Sequence, residues 1–247
     1  MPKPRTPFTP TCHSSSGEIP PDPRVIVRPQ RPGPEAELVN RYLDSLRVRC
    51  PRGCSYSVFV EPKLECGVPD IVIAVWNPGV AKSWEPSRRF LTSQDFRVLQ
   101  CLQARKGATD EELASFFPRA APRSVERLHV AGLIRRVRGT WLVRSPRRTV
   151  ALRRLIAIEA KMTDWRKALE QAWRNTWFAT DSYVLLPDGR DIPPMALPPG
   201  VRQCTAVAPE IDARCASGPL LPLCYATWLF NEWVWRMTQP HGDANDD

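Results

Sequence analysis

Two short groups of charged residues stand beside apolar runs at positions where they could do chemistry. Pro69-Asp70 comes directly before the apolar residues 71–76, and Glu159-Ala160-Lys161 closes the apolar run 155–160. Side chains alternate along a strand, so Glu159 and Lys161 point to the same side. A carboxylate and an ammonium are poorly suited to burial for its own sake. The pairing indicates a site for charged species, such as a metal ion and a phosphate.

The elements around Glu159 follow the order strand, helix, strand. After the strand 155–160, Thr163 or Asp164 is suited to cap a helix, and residues 183–186 form the next apolar strand. The buried stripe of the helix consists of Trp165, Ala168, Leu169 and Ala172. A helical crossover between two strands favours parallel pairing in one sheet. Glu159 is therefore expected at an edge where parallel strands end.

The elements around Asp70 are a helix and a hairpin. Residues 35–47 carry an apolar stripe at helical spacing, and Pro34 suits the first turn. The alternating residues 55–60 and the apolar run 71–76 are joined by a short loop, which predicts an antiparallel hairpin. Taken alone, Pro-Asp before an apolar run more often only begins a strand or turn.

Together the two groups resemble the signature of the PD-(D/E)XK nuclease superfamily, over about residues 34–76 and 155–187. The resemblance implies an α/β fold, a restriction-endonuclease-like mixed sheet flanked by helices. It also implies that Asp70 and Glu159 bind Mg²⁺ or Mn²⁺, and that the Ala160 carbonyl is a further ligand. Hard oxygen ligands suit such cations.

The same resemblance implies roles for three further positions. Lys161 would orient the attacking water or offset negative charge on the phosphate. Gln171 resembles a glutamine that follows E-x-K in several members and would help hold the site. The first helix often supplies an extra acidic metal ligand, for which Glu37 and Glu35 are candidates that the sequence does not separate. Acids in a first turn also simply favour the helix dipole.

Between the two halves of the signature lies a region of a different kind. It contains three helical patterns followed by two short strands around Arg138-Gly139, at residues 93–105, 109–117, 123–131, 133–137 and 140–144. This order resembles a winged helix-turn-helix inserted into the nuclease-like core. The resemblance implies that the third helix reads DNA with Arg123 and Arg127, and with Ser124 or His129 as further candidates. The wing would add Arg135, Arg136 and Arg138. Some winged helices bind only proteins.

Charge is concentrated in this region. The chain of 247 residues carries a formal charge of +9, and residues 119–154 hold eleven Arg against the single acid Glu126, a charge of +10. A local basic block points to nucleic acid more strongly than a diffuse excess does. The alternative interpretation is a solvated charged face.

Composition also suggests the domain layout. Ten of the 27 prolines fall in residues 1–34, which cannot form a packed core. The last apolar helix, residues 223–237, is expected to pack on the core, although an exposed stripe would serve a homodimer. The expected segments are a Pro-rich tail (1–34), the first core half (35–89), the insertion (90–148), the second core half (149–238) and a polar tail (239–247).

Several classes of protein are disfavoured. No run is long and apolar enough to span a membrane, and no secretory segment is evident near the N-terminus. The eight cysteines are therefore read as thiols of a reduced, cytoplasmic protein. A zinc site at Cys50, Cys54 and Cys66 is disfavoured because the spacing is loose and no second pair follows.

The sequence thus predicts a Mg²⁺-dependent DNA endonuclease with an inserted DNA-reading domain, in a restriction, defence or repair role. One alternative is a winged-helix regulator in which the nuclease-like core is only a scaffold. Another is a Holliday-junction-type resolvase. DNA is the expected partner in each case.

Overall fold

The computed structural model describes residues 32–64, 67–207, 209–214 and 221–239. The helices are α1 (Pro34–Ser45), α2 (Pro78–Ala81), α3 (Ser93–Arg105), α4 (Asp110–Phe116), α5 (Ala121–Val130), α6 (Pro146–Thr149), α7 (Trp165–Asn175) and α8 (Tyr225–Met237). The strands are β1 (Arg47–Arg49), β2 (Ser55–Val60), β3 (Ile71–Trp76), β4 (Ile134–Val137), β5 (Thr140–Val143), β6 (Leu152–Ala160), β7 (Asp181–Leu186), β8 (Val201–Thr205) and β9 (Glu210–Asp212). Two 3₁₀ helices cover Pro86–Phe90 and Pro194–Ala196.

The chain divides into two compact units. The first, here called the sheet unit, is formed by Met1–Trp76 and Arg153–Leu221. The second, here called the helical unit, is formed by Asn77–Leu152 and Pro222–Asp247. Each unit is thus assembled from two separate stretches of the chain.

The sheet unit is built on a mixed five-stranded sheet in the order β2-β3-β6-β7-β8. β2 pairs antiparallel with β3, as the hairpin pattern predicts. β6 and β7 pair in parallel, as do β7 and β8. These pairings confirm the α/β class with a mixed sheet flanked by helices. They also place β3 beside β6, so the two halves of the charged signature share one sheet.

The central strands of this sheet are buried on both faces. Ile73 of β3 and Ile156 of β6 pack in one apolar cluster with Leu38 and Tyr42 of α1. The opposite cluster contains apolar residues of α7, β7 and β8, namely Ala168, Leu169, Ala172, Val184, Leu186 and Val201, together with Ile192. β6 is buried throughout residues 155–160, which explains its continuous apolar sequence.

A small parallel pairing of β1 with β9 also belongs to the sheet unit. The sequence pattern predicts neither strand. Each has only three residues, too few for an alternating pattern to be recognised.

The helical unit contains α3, α4, α5 and the hairpin β4-β5 in the order and near the bounds that the sequence predicts. α3 and α4 both begin with capping boxes, at Thr92 and Thr109. The hairpin turns at Arg138 and Gly139, whose φ angles are 49° and 82°. Positive φ at both turn positions matches the type I′ geometry of two-residue hairpins.

The borders of this unit differ from the predicted insertion 90–148. Residues 77–89, 149–152 and 222–239 belong to the helical unit, although Leu152 is also the first residue of β6. Arg88, in the segment expected to belong to the first core half, is 1% exposed and bonded to Glu232 of α8. Asn231 accepts a hydrogen bond from the Ala151 N–H at 2.8 Å. Buried polar contacts thus tie both ends of the stretch to α8.

The structure does not show the exposed apolar stripe on α8 that the alternative interpretation of this helix required. Nine of its residues are buried, including Trp228, Phe230, Val234 and Trp235, because α8 packs against α3 in the same unit. Most of the two predicted tails, residues 1–31 and 240–247, lies outside the described residues, as does Cys66. In the described part of the chain, no helix has the length and apolarity needed to cross a membrane.

Candidate active site

Glu159 lies near the carboxyl end of β6 and is only 2% exposed. Its Oε1 accepts a hydrogen bond from Nδ2 of Asn175 on α7 at 2.7 Å. Its Oε2 is buried without a hydrogen-bond partner among the described residues. A buried carboxylate oxygen left unpaired is energetically costly, so this atom marks the site.

Asp70 stands just before β3 and reaches the neighbouring strand. Its Oδ2 accepts a hydrogen bond from the Ala160 N–H at 2.7 Å. The structure therefore brings the Pro-Asp and Glu-x-Lys groups together, as the sequence predicts. The contact is possible because β3 and β6 are adjacent in the sheet.

Both carboxyl groups hold protons more tightly than usual. Burial, reinforced by the nearby Asp70 charge, raises the pKa of Glu159 to about 8. Burial also raises the pKa of Asp70, an effect that the Ala160 N–H and the charge of Lys161 offset only in part. Two desolvated acids that repel each other are poised to share a proton or bind a cation.

Lys161 supplies the positive charge of this cluster. Its Nζ donates to Oε2 of Glu35 at 2.9 Å and to the Ala160 carbonyl at 3.0 Å. Burial would lower the pKa of Lys161, but the hydrogen bond to Glu35 and the charges of Asp70, Glu35 and Glu159 raise it. The ammonium form is thereby favoured beside both carboxyl groups.

Of the two acidic candidates on the first helix, Glu35 is the one that contacts Lys161. Glu35 bonds to Lys161, and its charge raises the pKa of Asp70. Glu37, the other candidate, is exposed on α1, and no contact with the site is observed. Two residues along a helix are about 200° apart, so only one of the pair can face Lys161. Glu61, which the sequence analysis does not single out, also acts on Asp70.

Helix α7 contributes one amide side chain that binds Glu159 and carries a second amide one turn earlier. Asn175, which donates to Glu159, is 7% exposed and is missing from the sequence prediction. Gln171, which the resemblance selects, lies one turn earlier on the same side of α7. Its Oε1 is buried without a hydrogen-bond partner among the described residues. The sequence signal that could have identified Asn175 is its position four residues after Gln171, which places both amides on the same side of the helix.

The donor set suits a hard divalent cation. Asp70, Glu159 and the Ala160 carbonyl are all oxygen donors, and the unpaired Oε2 of Glu159 would gain a partner. The described residues contain no group of three or more His, Cys, Asp or Glu side chains arranged to hold a metal. A cation here would therefore depend on a carbonyl and on water for its remaining ligands.

Four of the five arginines predicted to contact DNA are exposed in the helical unit. Arg123 lies on α5, and Arg135, Arg136 and Arg138 lie on the β4-β5 hairpin. Arg136 is paired with Asp110 at 2.6 Å, so part of its charge is already compensated. The remaining three present their charge to solvent.

Arg127 is oriented differently from the prediction. Its guanidinium makes two hydrogen bonds, at 2.9 and 2.7 Å, to the fully buried Asp95 of α3. Ser124 is also fully buried, which removes it from the candidate contacts. His129 is exposed but packs edge-on against Trp141 at 5.4 Å. Arg127, which the sequence predicts to contact DNA, thus links α5 to α3 instead.

Comparisons with known proteins identify no relative of this chain. No protein-family model matches the chain, and no curated protein or solved structure matches it either. The chemistry of the chain's own residues is therefore the ground for assigning a function.

Proposed function

We propose that this protein is a metal-dependent DNA endonuclease that hydrolyses phosphodiester bonds at Asp70, Glu159 and Lys161. The observation that carries the proposal is the buried, unpaired Oε2 of Glu159 beside Asp70. Such an arrangement is unfavourable for stability alone and is explained by a ligand that carries positive charge. The PD-(D/E)XK-like order of the residues supports the same conclusion.

Each residue has a distinct task in this proposal. Asp70, Glu159 and the Ala160 carbonyl would hold Mg²⁺ or Mn²⁺, which when bound activates water and offsets charge on the phosphate. Lys161 donates from the same side and stabilises negative charge as it develops. Glu35 fixes the Lys161 ammonium in place. Asn175 orients the Glu159 carboxyl group through its hydrogen bond, and Gln171 is kept as a site residue on the resemblance alone.

DNA binding is proposed for the helical unit as a winged helix-turn-helix. Three helices precede a tight hairpin, and Arg123, Arg135 and Arg138 expose positive charge on the third helix and the hairpin. Exposed arginines of this kind neutralise phosphates, which gives salt-sensitive binding. Arg127 and Arg136 contribute less than the sequence predicts because each has an acidic partner.

The test is cleavage of supercoiled plasmid by the purified protein with Mg²⁺, Mn²⁺ or EDTA. Wild-type protein should nick the plasmid only with metal, and Glu159→Gln and Lys161→Ala should abolish nicking. Asp44→Asn, which changes an exposed acid on α1, is the matched control and should remain active. Nicking that persists in both site variants would reject this site.

A DNA-binding regulator with a catalytically silent sheet unit is the second candidate. It is favoured by Arg123, Arg135 and Arg138, which are exposed in the helical unit and do not depend on the residues of the sheet unit. In that case no metal would support cleavage. DNA binding would survive Glu159→Gln but weaken in Arg123→Ala.

A further inference from the structure

Helix α7 and the turn after it expose two large aromatic side chains. Trp173 is 59% exposed and Trp177 is 41% exposed. The opposite face of α7 is buried through Ala168, Leu169 and Ala172. Exposed tryptophans on a helix that already has an apolar face mark a binding surface more often than a folding requirement.

The surroundings of the two rings are mainly basic. Arg166, Lys167 and Arg174 are exposed on α7, and Glu170 is the exposed acid between them. Trp177 is held by an edge-on contact with Phe178, with ring centroids 5.4 Å apart. Flat aromatic rings among cationic side chains are complementary to nucleotide bases with their phosphates.

The same helix connects this surface to the candidate active site. Asn175, which donates to Glu159 at 2.7 Å, follows Trp173 by two positions on α7. Two residues along a helix are about 200° apart, so Trp173 and Asn175 lie on opposite sides of α7. α7 thus stands between Trp173 and Glu159, and a single strand would reach Glu159 by passing around this helix.

We propose that Trp173 and Trp177 stack on unpaired bases of a single DNA strand, while Arg166, Lys167 and Arg174 contact its phosphates. The substrate of the nuclease would then carry a single-stranded segment, as at a flap, branch or unwound end. This assignment of the substrate rests on the proposed nuclease function. The binding surface itself does not depend on catalysis.

A second copy of this chain is a less suitable occupant. In a symmetric dimer the same patch meets itself, so Arg166, Lys167 and Arg174 would approach their own copies. That juxtaposition of like charge opposes association. A single nucleic-acid strand instead supplies the negative charge that the patch lacks.

The test is the affinity of the full-length protein for a labelled oligothymidine and for a duplex of equal length, measured by fluorescence anisotropy in EDTA. Trp173→Ala and Trp177→Ala should each weaken single-strand binding by about tenfold, since stacking contributes about 1–3 kcal/mol per base. Duplex binding should stay unchanged. Phe90→Ala, which removes an aromatic ring 60% exposed in the helical unit, should change neither.

Equal single-strand affinity in wild type and in both tryptophan variants would overturn the proposal. So would sedimentation showing a wild-type dimer that becomes monomeric in the variants, because the surface would then be a protein interface. Because the assay contains no metal, its result is independent of cleavage. If the protein nicks plasmid but the tryptophan variants bind single strands normally, the nuclease proposal is supported and the strand-binding proposal is rejected. If the tryptophan variants lose single-strand binding but the protein does not nick plasmid, the strand-binding proposal is supported and the nuclease proposal is rejected.

Discussion

Glu159 is a carboxyl group whose environment opposes its own ionisation. In the folded protein its pKa is about 8, against an ordinary value of 4.5. The folded state therefore binds this proton more tightly than the unfolded state does. The associated stability is fully present below about pH 4.5 and is lost as the pH rises through 8.

The first prediction concerns this pH dependence without metal. Between pH 5 and 8, the wild-type protein in EDTA should lose on the order of 2–4 kcal/mol of unfolding free energy. Glu159→Gln should lose much less, because its amide cannot ionise. Urea unfolding across this pH range measures the difference. Parallel curves for wild type and Glu159→Gln would show that Glu159 titrates normally.

Asn175 donates a hydrogen bond to one oxygen of Glu159, and the other oxygen is buried without a hydrogen-bond partner among the described residues. A residue that orients a metal ligand typically changes metal affinity by about 10–100-fold when it is removed. Asn175→Ala should therefore raise the Mg²⁺ concentration for half-maximal nicking by about that factor, with the rate at saturating Mg²⁺ less affected.

Thr176→Ala, at the end of α7, is the control for Asn175→Ala and should leave the Mg²⁺ requirement unchanged. A purely structural role for Asn175 would lower thermal stability without shifting the Mg²⁺ requirement. That outcome would contradict the positioning role.

At the scale of single elements, α5 combines an inward and an outward arginine. Arg127 is tied to Asp95 of α3 at 2.7 Å, whereas Arg123 is exposed. One helix thus contributes both to the packing of its unit and to the proposed DNA surface.

Arg127→Ala should destabilise the helical unit, because it leaves the buried Asp95 carboxylate without its charged partner. The expected loss is about 1–3 kcal/mol, since solvent reaches part of Arg127. Thermal melting followed by circular dichroism measures it. Asp95→Asn combined with Arg127→Ala should recover part of the loss, and no loss in Arg127→Ala would mean that the ion pair is not structural.

Arg123→Ala should leave melting unchanged and weaken duplex binding. The slope of log affinity against log salt should fall by about one, as expected when one phosphate contact is lost. Titration of duplex DNA at several salt concentrations gives this slope. An unchanged slope would exclude Arg123 from the phosphate contacts.

At the scale of the whole molecule, the chain leaves the sheet unit at Trp76 and returns to it at Arg153. The helical unit is completed only by α8, near the end of the chain. Arg88 and Glu232 form a salt bridge in which each side chain is 1% exposed. The integrity of the helical unit therefore depends on a residue far from its other elements in sequence.

Glu232→Ala should destabilise the helical unit by about 3–5 kcal/mol, because it leaves a buried guanidinium unpaired. Urea unfolding monitored by tryptophan fluorescence measures the loss. Arg88→Met combined with Glu232→Leu should be more stable than Glu232→Ala alone. If Glu232→Ala unfolds like wild type, the pair is not buried in solution.

The sequence by itself determined most helices and strands of the sheet unit and the α3–β5 segment. Their apolar periods are local and strong, as in β3, β6 and α7, and the capping residue Thr109 marks its helix start. It also joined Asp70 to Glu159 and Lys161, because the two groups resemble the PD-(D/E)XK signature and each adjoins an apolar run. The charge of a residue and its position beside an apolar run can both be read directly from the local sequence.

Only the tertiary structure decided which distant residues meet. It selected Glu35 over Glu37, added Asn175 to Glu159, paired Arg127 with Asp95 and assigned α8 to the helical unit. A periodic pattern records which face of an element is apolar, but not which polar group it meets across the core. That choice depends on packing and on the need to satisfy buried polar groups, which arise only when the elements are assembled.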